Sequence, residues 1–401
     1  MGLGGRPPRI GIVAGEASGD QLGSHLIQAT RTSFPGATFF GIGGPKMQGL
    51  GMDVWFPMEK LAVRGFVEVL KHYREIVGIR RKLRSRLLAA KPDLFIGIDA
   101  PAFNMDLETD LKRAGIPTIH YVCPQFWAWD RGRLPAIQRA VSRVLALFPF
   151  EVPMLAEAGI PATFVGHPLA DLLPERPDRE AMREQMRLPK QGLIIAMLPG
   201  SRQVEVKAMG SLFVQAARAI LEHKPDAHFL VPLVSRETRV LFETALYQDA
   251  PDGLPLTMLY GHAHDAMIAA DAVLLASGTA TLEAALLKRP MVITYKVPSL
   301  TYWIAKRRIY LPYVGLPNVL AGEFVVPELI QDDATPSSLA AALIRILDDA
   351  DGRRALDERF VAMHHSLKQD TAQRVVEAIA MALGERVPRA EPARRLAPEG
   401  T

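Results

Sequence analysis

Two carboxylates and one arginine occupy places where a protein built of alternating strands and helices presents its ligands. Glu16 lies in Gly15-Glu16-Ala17-Ser18-Gly19-Asp20, just past the apolar run Ile10–Ala14, and Asp99 closes the run Leu94–Asp99 before Ala100-Pro101. A carboxylate at the carboxyl end of a strand, fixed by a following proline, can act as a general base; the same residue can equally cap the next helix. Asp99 is expected to be the base and Glu16 the rival carboxylate. Arg202 ends Leu198-Pro199-Gly200-Ser201-Arg202 and opens a long helical pattern. Helix-start amides with one guanidinium fork make a site for a diphosphate. The device recurs at Ser277-Gly278-Thr279-Ala280-Thr281, with Glu283 one turn on to accept hydrogen bonds from ribose hydroxyls, and Asn318 offers an amide or merely a turn. A capped helix start explains either loop alone. Two in one half of the chain point to a nucleoside diphosphate.

Other motifs have chemical and plain readings side by side. The glycine loop Gly41-Ile42-Gly43-Gly44-Pro45 suits a tight turn into a helix and fits no dinucleotide fingerprint. The stretch from His120 to Trp129 is dense in aromatics, so Trp127 and Trp129 are candidates for a wall against a sugar or acyl chain, or for core packing. His120, inside a strand, reads as a core histidine. Between Phe66 and Arg86, apolar Phe66, Val69, Leu70 and Tyr73 alternate with basic residues that include Arg80, Arg81, Lys82 and Arg84. Basic amphipathic segments of this kind lie in anionic membrane interfaces; an ordinary domain helix with a solvated face gives the same pattern. Tyr302-Trp303-Ile304 beside Lys306-Arg307-Arg308 is a second such candidate.

These residues need a frame. Short apolar runs at 10–14, 38–41, 94–99, 118–122, 144–147 and 163–165 alternate with amphipathic segments. A second set follows at 193–198, 228–231, 256–259, 272–276 and 291–295. Strand–helix alternation implies parallel sheets covered by helices. The predicted architecture is α/β, with two Rossmann-like domains, 1–168 and 169–350, facing a cleft. Pro168–Asp178 reads as the linker, 351–385 as C-terminal helices that pack back on the first domain or are swapped, and 386–401 as a disordered tail.

The 401-residue chain is 49% hydrophobic and 22% charged, a globular composition, and its net charge of +4 is too small to argue for nucleic acid. The single cysteine, Cys123, excludes an internal disulfide and fits a reducing compartment. No apolar stretch is long enough to span a bilayer, so membrane contact is expected to be peripheral.

The motifs taken together resemble the lipid-A-disaccharide synthase family. The matching segments run collinearly through GEASGD at 15–20, GIGGPKM at 41–47, IDAP at 98–101, the WAW of 127–129, FPFE at 148–151, VGHPLAD at 165–171, LPGSR at 198–202, LLASGTATLE at 274–283, LPNVLAGE at 316–323 and VPELIQ at 326–331. The family is similar in fold to the two-domain GT-B glycosyltransferases. The resemblance implies transfer of 2,3-diacylglucosamine from UDP to the 6′-hydroxyl of 2,3-diacylglucosamine 1-phosphate, with inversion. It also implies a place on the cytoplasmic face of the inner membrane, on an anionic surface, as a monomer or homodimer. Departures from the family pattern fall at Arg64, Ala102, Cys123, Gln125, Asp130 and Glu323, and those at Gln125 and Asp130 bear on acceptor selectivity.

For such a transfer Asp99 would take the acceptor proton, while Arg202 and the Ser277–Thr281 backbone would neutralise departing UDP, a task a metal performs elsewhere. No Asp-x-Asp motif is placed to hold one, and no cofactor and no metal are expected. Two readings of other classes remain: a UDP-sugar epimerase of similar fold, and a catalytically silent lipid- or nucleotide-binding protein.

Overall fold

The structure, a computed structural model, describes residues 3–61, 66–129, 131–297 and 310–385. Seven strands make the first sheet: β1 (Arg9–Ala14), β2 (Thr38–Gly43), β3 (Asp53–Pro57), β4 (Leu94–Ile98), β5 (Thr118–Tyr121), β6 (Arg143–Ala146) and β7 (Ala162–Phe164). Six make the second: β8 (Ile194–Leu198), β9 (His228–Leu233), β10 (Leu256–Tyr260), β11 (Ala272–Ala276), β12 (Met291–Tyr295) and β13 (Glu328–Ile330). The central strands β4, β8 and β11 are buried along their whole length. That is why they read as unbroken apolar runs and not as alternating ones.

Every pairing is parallel. The strand orders are β3-β2-β1-β4-β5-β6-β7 and β10-β9-β8-β11-β12-β13. In each sheet the chain begins at the centre, builds outward to one edge, then returns to build the other. The order therefore reverses between β1 and β4, and again between β8 and β11.

All eleven expected strands are present. The two that periodicity did not reveal, β3 and β13, are edge strands with only partly buried residues. The segment 168–178 contains the short helix Pro168–Leu172, and Asp178 caps the helix Arg179–Gln185 through the Ala181 amide, 3.0 Å away.

The chain divides into two compact units. The first comprises residues up to Phe126, then Arg131–Pro168 and the segment from Gln369; the second comprises Trp127–Asp130 and Leu169–Lys368. The helix Ala350–Leu367 thus belongs to the second unit. The helix Thr371–Leu383 packs on Ala17–Ser33 of the first, and the Arg374 guanidinium donates to the Phe164 carbonyl at the end of β7, 3.2 Å away.

In the first unit the helix Phe66–Ala90 packs closely on the sheet. A Cβ at Gly11 in β1 would stand 3.0 Å from a Leu87 methyl, so the glycine lets the two backbones approach. Leu83 and Leu87 are buried there, with Ile76 and Ile79 partly so. The second unit has its own core around Phe213, Phe229 and Phe242.

Asp20, buried to 3% exposure, ties two motif loops of the first unit together. Its carboxylate accepts hydrogen bonds from the Gly44, Lys46 and Met47 amides, each at 3.0 Å, and so caps the helix Pro45–Gly49 from another element. Bonds from amides to a carboxylate contribute roughly 1.5–3 kcal/mol each and do not add fully. Asp20→Ala is expected to cost on the order of 3 kcal/mol. Urea unfolding of the first unit checks this; a loss below about 1 kcal/mol would show that the loop holds its shape without Asp20.

Candidate active site

In open parallel sheets ligands bind beyond the carboxyl ends of the strands, at the point where strand order reverses. The loops after β1 and β4 carry Glu16 and Asp99, and these two strands are neighbours paired from Ile10↔Leu94 to Ala14↔Ile98. The loops touch. A Cβ on Gly15 would stand 3.2 Å from that of Ala100, so the position beside Glu16 has room for little more than hydrogen.

Asp99 and Ala100 both hold left-handed backbone, at φ +50° and +45°. A non-glycine residue there costs roughly 1–2 kcal/mol, so two in succession must be held by their surroundings. The Asp99 amide donates to the Tyr121 carbonyl at 2.9 Å, and the Asn104 side chain donates to the Asp99 carbonyl at 2.8 Å. Pro101 then starts the helix Pro101–Arg113, with Ala100 in the capping position and no side-chain cap bond. Asp99 is therefore not the helix cap. Among the described residues none donates to its carboxylate.

Behind this loop, fully buried His120 bonds through Nδ1 to Glu108 Oε1 at 2.8 Å. Burial pushes the Glu108 carboxyl above its ordinary range, although His120 draws it down. His120 is thus a core histidine with a buried partner. Trp127 is also buried, at 4% exposure, and forms packing instead of an open wall; the Trp129 side chain lies outside the described residues. Cys123 is buried, and burial with Glu151 nearby pushes its thiol up.

In the second unit the loops after β8 and β11 likewise leave neighbouring strands, with Leu275 paired to Leu198. Gly200, at φ +131°, leaves space that a Cβ would lose to Glu205, 2.5 Å away. That closeness has a consequence for the phosphate reading. Glu205 Oε2 accepts from the Ser201 and Arg202 amides at 3.0 and 3.2 Å, and Oε1 pairs with the Arg202 guanidinium at 3.3 Å. The anion position expected at this helix start is filled by the chain's own carboxylate. Arg202 is 54% exposed and so still presents its fork outward.

At the second helix start, Gly278 and Thr279 are exposed, and the first amides of Thr279–Leu286 have no acceptor within the helix. The hydroxyls are less available than expected. Ser277 donates to the Val314 carbonyl at 3.0 Å; Thr281, buried, donates to the Gly278 carbonyl at 2.7 Å and accepts from the Leu316 amide at 3.2 Å.

Asn318 is a clear departure from expectation. Its amide nitrogen donates to the Val326 carbonyl and to Glu328, and its oxygen accepts from the Val325 and Val326 amides, all within 2.8–3.0 Å. A fully buried and fully bonded amide is a structural knot, not a free ligand group. Glu328 completes the knot by accepting from the Val314 and Gly315 amides at 2.8 Å.

Glu283 has a partner that the sequence did not suggest. His264, in the helix Ala263–Ala269 after β10, meets Glu283 Oε2 at 3.1 Å. The spacing of 19 residues has no motif to flag it; only the crossover from β10 to β11 brings the two together.

The basic stretch of Phe66–Ala90 also resolves differently from a free membrane face. Arg80 pairs with Asp106 at 2.5 Å and Arg84 with Asp110 at 2.8 Å, a ladder linking two helices of the first unit. Arg81 and Lys82 remain exposed. The side chains of Phe66, Val69, Leu70 and Tyr73 lie outside the described residues, as does 298–309 with the second aromatic–basic candidate. Of the departures from the family pattern, Glu323 forms an ion pair with Arg359 and Gln125 is exposed, while Arg64 and Asp130 lie outside the described residues.

Residues 10–382 match the family model described as lipid-A-disaccharide synthetase. The chain belongs to the lipid-A-disaccharide synthase family. Relatives bearing that name include the Dechloromonas aromatica protein, 56% identical over 376 residues that cover 94% of this chain and 98% of the relative. The Chromobacterium violaceum protein is 52% identical, covering 92% and 96%.

Solved structures support the GT-B-like fold of this synthase family member. The S. aureus MnaA structure with UDP aligns with a TM-score of 0.63 at 11% identity, covering 96% of this chain and 99% of that one. The calicheamicin glycosyltransferase CalG4 aligns at 0.60 and 15% identity, covering 94% and 99%. Among the described residues of the chain, no group of three His, Cys, Asp or Glu could hold a metal ion, and no helix is long and apolar enough to cross a membrane.

The His264–Glu283 pair yields a pH prediction. The hydrogen bond to Glu283 holds the His264 imidazole above its ordinary value despite partial burial. Stability from the pair is therefore complete below about pH 6.5 and lost as pH rises through the raised value. NMR titration should place His264 above free histidine, and Glu283→Gln should bring it down. A His264 titration unchanged by Glu283→Gln would break the assignment.

Proposed function

We propose that this chain acts as a lipid-A-disaccharide synthase: an inverting glycosyltransferase that moves 2,3-diacylglucosamine from UDP to the 6′-hydroxyl of 2,3-diacylglucosamine 1-phosphate. The observation that carries this reading is the identity of 52–56% to proteins of that name over nearly the whole chain. The epimerase alternative has only fold-level support, such as the Neisseria meningitidis UDP-GlcNAc 2-epimerase at 10% identity.

In this reading Asp99 is the general base. Its backbone is fixed at both ends of the residue, and none of the described residues donates to its carboxylate, so the group is positioned without being neutralised. Glu16, on the adjoining loop, is the second carboxylate. Arg202 and the amides of Gly278, Thr279 and Ala280 stabilise the charge that develops on departing UDP, and Glu283 accepts from the ribose. Seating a phosphate at the Ser201 and Arg202 amides requires Glu205 to swing away, so donor binding there exchanges one anion for another. Asn318 acts through the loop it ties together, not as a ligand. The acyl chains and an anionic membrane surface would be met by the sequence pattern of Phe66, Val69, Leu70 and Tyr73.

The deciding measurement is turnover with both lipid substrates. Asp99→Asn should lower it by about 10²–10⁴ while UDP affinity and melting temperature stay near wild type. Near-normal turnover in a folded Asp99→Asn protein would move the role to Glu16. Reaction of the UDP-sugar in the absence of acceptor would instead favour the epimerase.

Donor binding is tested separately. Arg202→Ala should weaken UDP by about 10–150-fold, the equivalent of roughly 1.5–3 kcal/mol for a charge-assisted contact. Unchanged calorimetric affinity would remove Arg202 from the site.

A further inference from the structure

The helix layer of the first unit holds a cavity of about 460 Å³. It lies among the helices Phe66–Ala90, Pro101–Arg113 and Leu134–Ala140, and neither Glu16 nor Asp99 lines it. Five arginines line it: Arg80, Arg81 and Arg84 from the first helix, Arg113 from the second and Arg139 from the third. The acids in its wall are Asp106 and Asp110, each paired with one arginine, Arg80 and Arg84 respectively. Among the described residues Arg81, Arg113 and Arg139 have no acidic partner.

Arg81, Arg113 and Arg139 are exposed, so water screens their mutual repulsion, but no acid of the described residues offsets it. An anion in the hollow reverses the sign of that energy. Guanidinium forks match phosphate oxygens two at a time, and Val77 and Ala136 in the wall exclude some water and strengthen the attraction. The volume falls in the range of small-ligand pockets, roughly 300–1,000 Å³, and exceeds what a bare ion needs.

We infer that this cavity binds a phosphate ester, with Arg81, Arg113 and Arg139 as its ligands and the Arg80–Asp106 and Arg84–Asp110 ladder as its frame. A membrane lipid headgroup and a soluble phosphate share this chemistry. The inference is independent of the roles given to Asp99 and Arg202.

The test uses the full chain at fixed ionic strength. Calorimetry with inorganic phosphate, and sedimentation with phosphatidylcholine vesicles carrying phosphatidylglycerol, are run on wild type and two triple variants. Arg81→Gln/Arg113→Gln/Arg139→Gln removes the pocket charges; Lys46→Gln/Lys60→Gln/Lys91→Gln removes the same charge from the same unit outside it. The pocket triple should weaken phosphate binding by about tenfold or more, with the control within about twofold. Loss of vesicle binding as well, in the pocket triple alone, identifies a headgroup; retained vesicle binding identifies a soluble phosphate. Equal losses in both triples, wild-type affinity in the pocket triple, or no saturable phosphate binding by wild type would each overturn the site. Should the pocket triple unfold, Arg81→Gln alone reads the same loss.

Discussion

A parallel pair of strands can be joined only by a crossover that returns the chain to its starting end, and both sheets here are parallel throughout. Every loop that leaves a strand's carboxyl end therefore gathers on one edge. Because each sheet starts at its centre, the first crossovers go one way and the later ones go the other. The loops after β1 and β4, and those after β8 and β11, are left as neighbours with no helix bridging them. The loops that carry Glu16 and Asp99, and those that carry Arg202 and Ser277–Ala280, leave neighbouring strands because of that reversal.

What the topology brings together, short acids and amides hold in shape. Asp20 binds three amides of another loop, Glu205 binds two of its own helix start, and Asn318 with Glu328 binds four more. Each answers the same need, since strand-end loops expose main-chain donors that lack ladder partners. The need competes with ligand binding. A carboxylate that satisfies an orphan amide sits where a phosphate oxygen would sit, so the same residue type at the same place can be scaffold or obstacle to the ligand. Glu205 fixes the Arg202 loop by accepting from the Ser201 and Arg202 amides.

This competition also explains where sequence reading succeeded and where it failed. The central strands were legible because burial on both faces leaves unbroken apolar runs, as in Ile194–Leu198 and Ala272–Ala276. Edge strands β3 and β13 were not, because Asp53 and Pro57 leave only three apolar residues between them and Glu328 leaves only two. The strand-end loops proposed for the site were legible for a related reason: Asp99, Arg202 and the Ser277 loop stand directly after those runs. Side-chain duty was not legible, because the partners are remote. Asn318 is satisfied by Val325, Val326 and Glu328, and Ser277 reaches Val314, so both are spent on the scaffold. The basic run at Arg80–Arg84 looked like one solvated face. Only the placement of Asp106 and Asp110 on a second helix separates its paired arginines from its unpaired one.

Asp99 shows how such a scaffold can hold a residue by its backbone alone. Two successive left-handed residues would relax if released, yet relaxation would break the bonds from the Asp99 amide to Tyr121 and from Asn104 to the Asp99 carbonyl. Asn104 is itself buried, one helical turn before Glu108, whose bond to His120 ties the helix to β5. Tyr121, the acceptor for Asp99, is the next residue of that same strand. The constraint thus closes on itself through β5, the helix Pro101–Arg113 and the loop between β4 and that helix. All of it acts on the backbone. The carboxylate itself is left without a donor among the described residues.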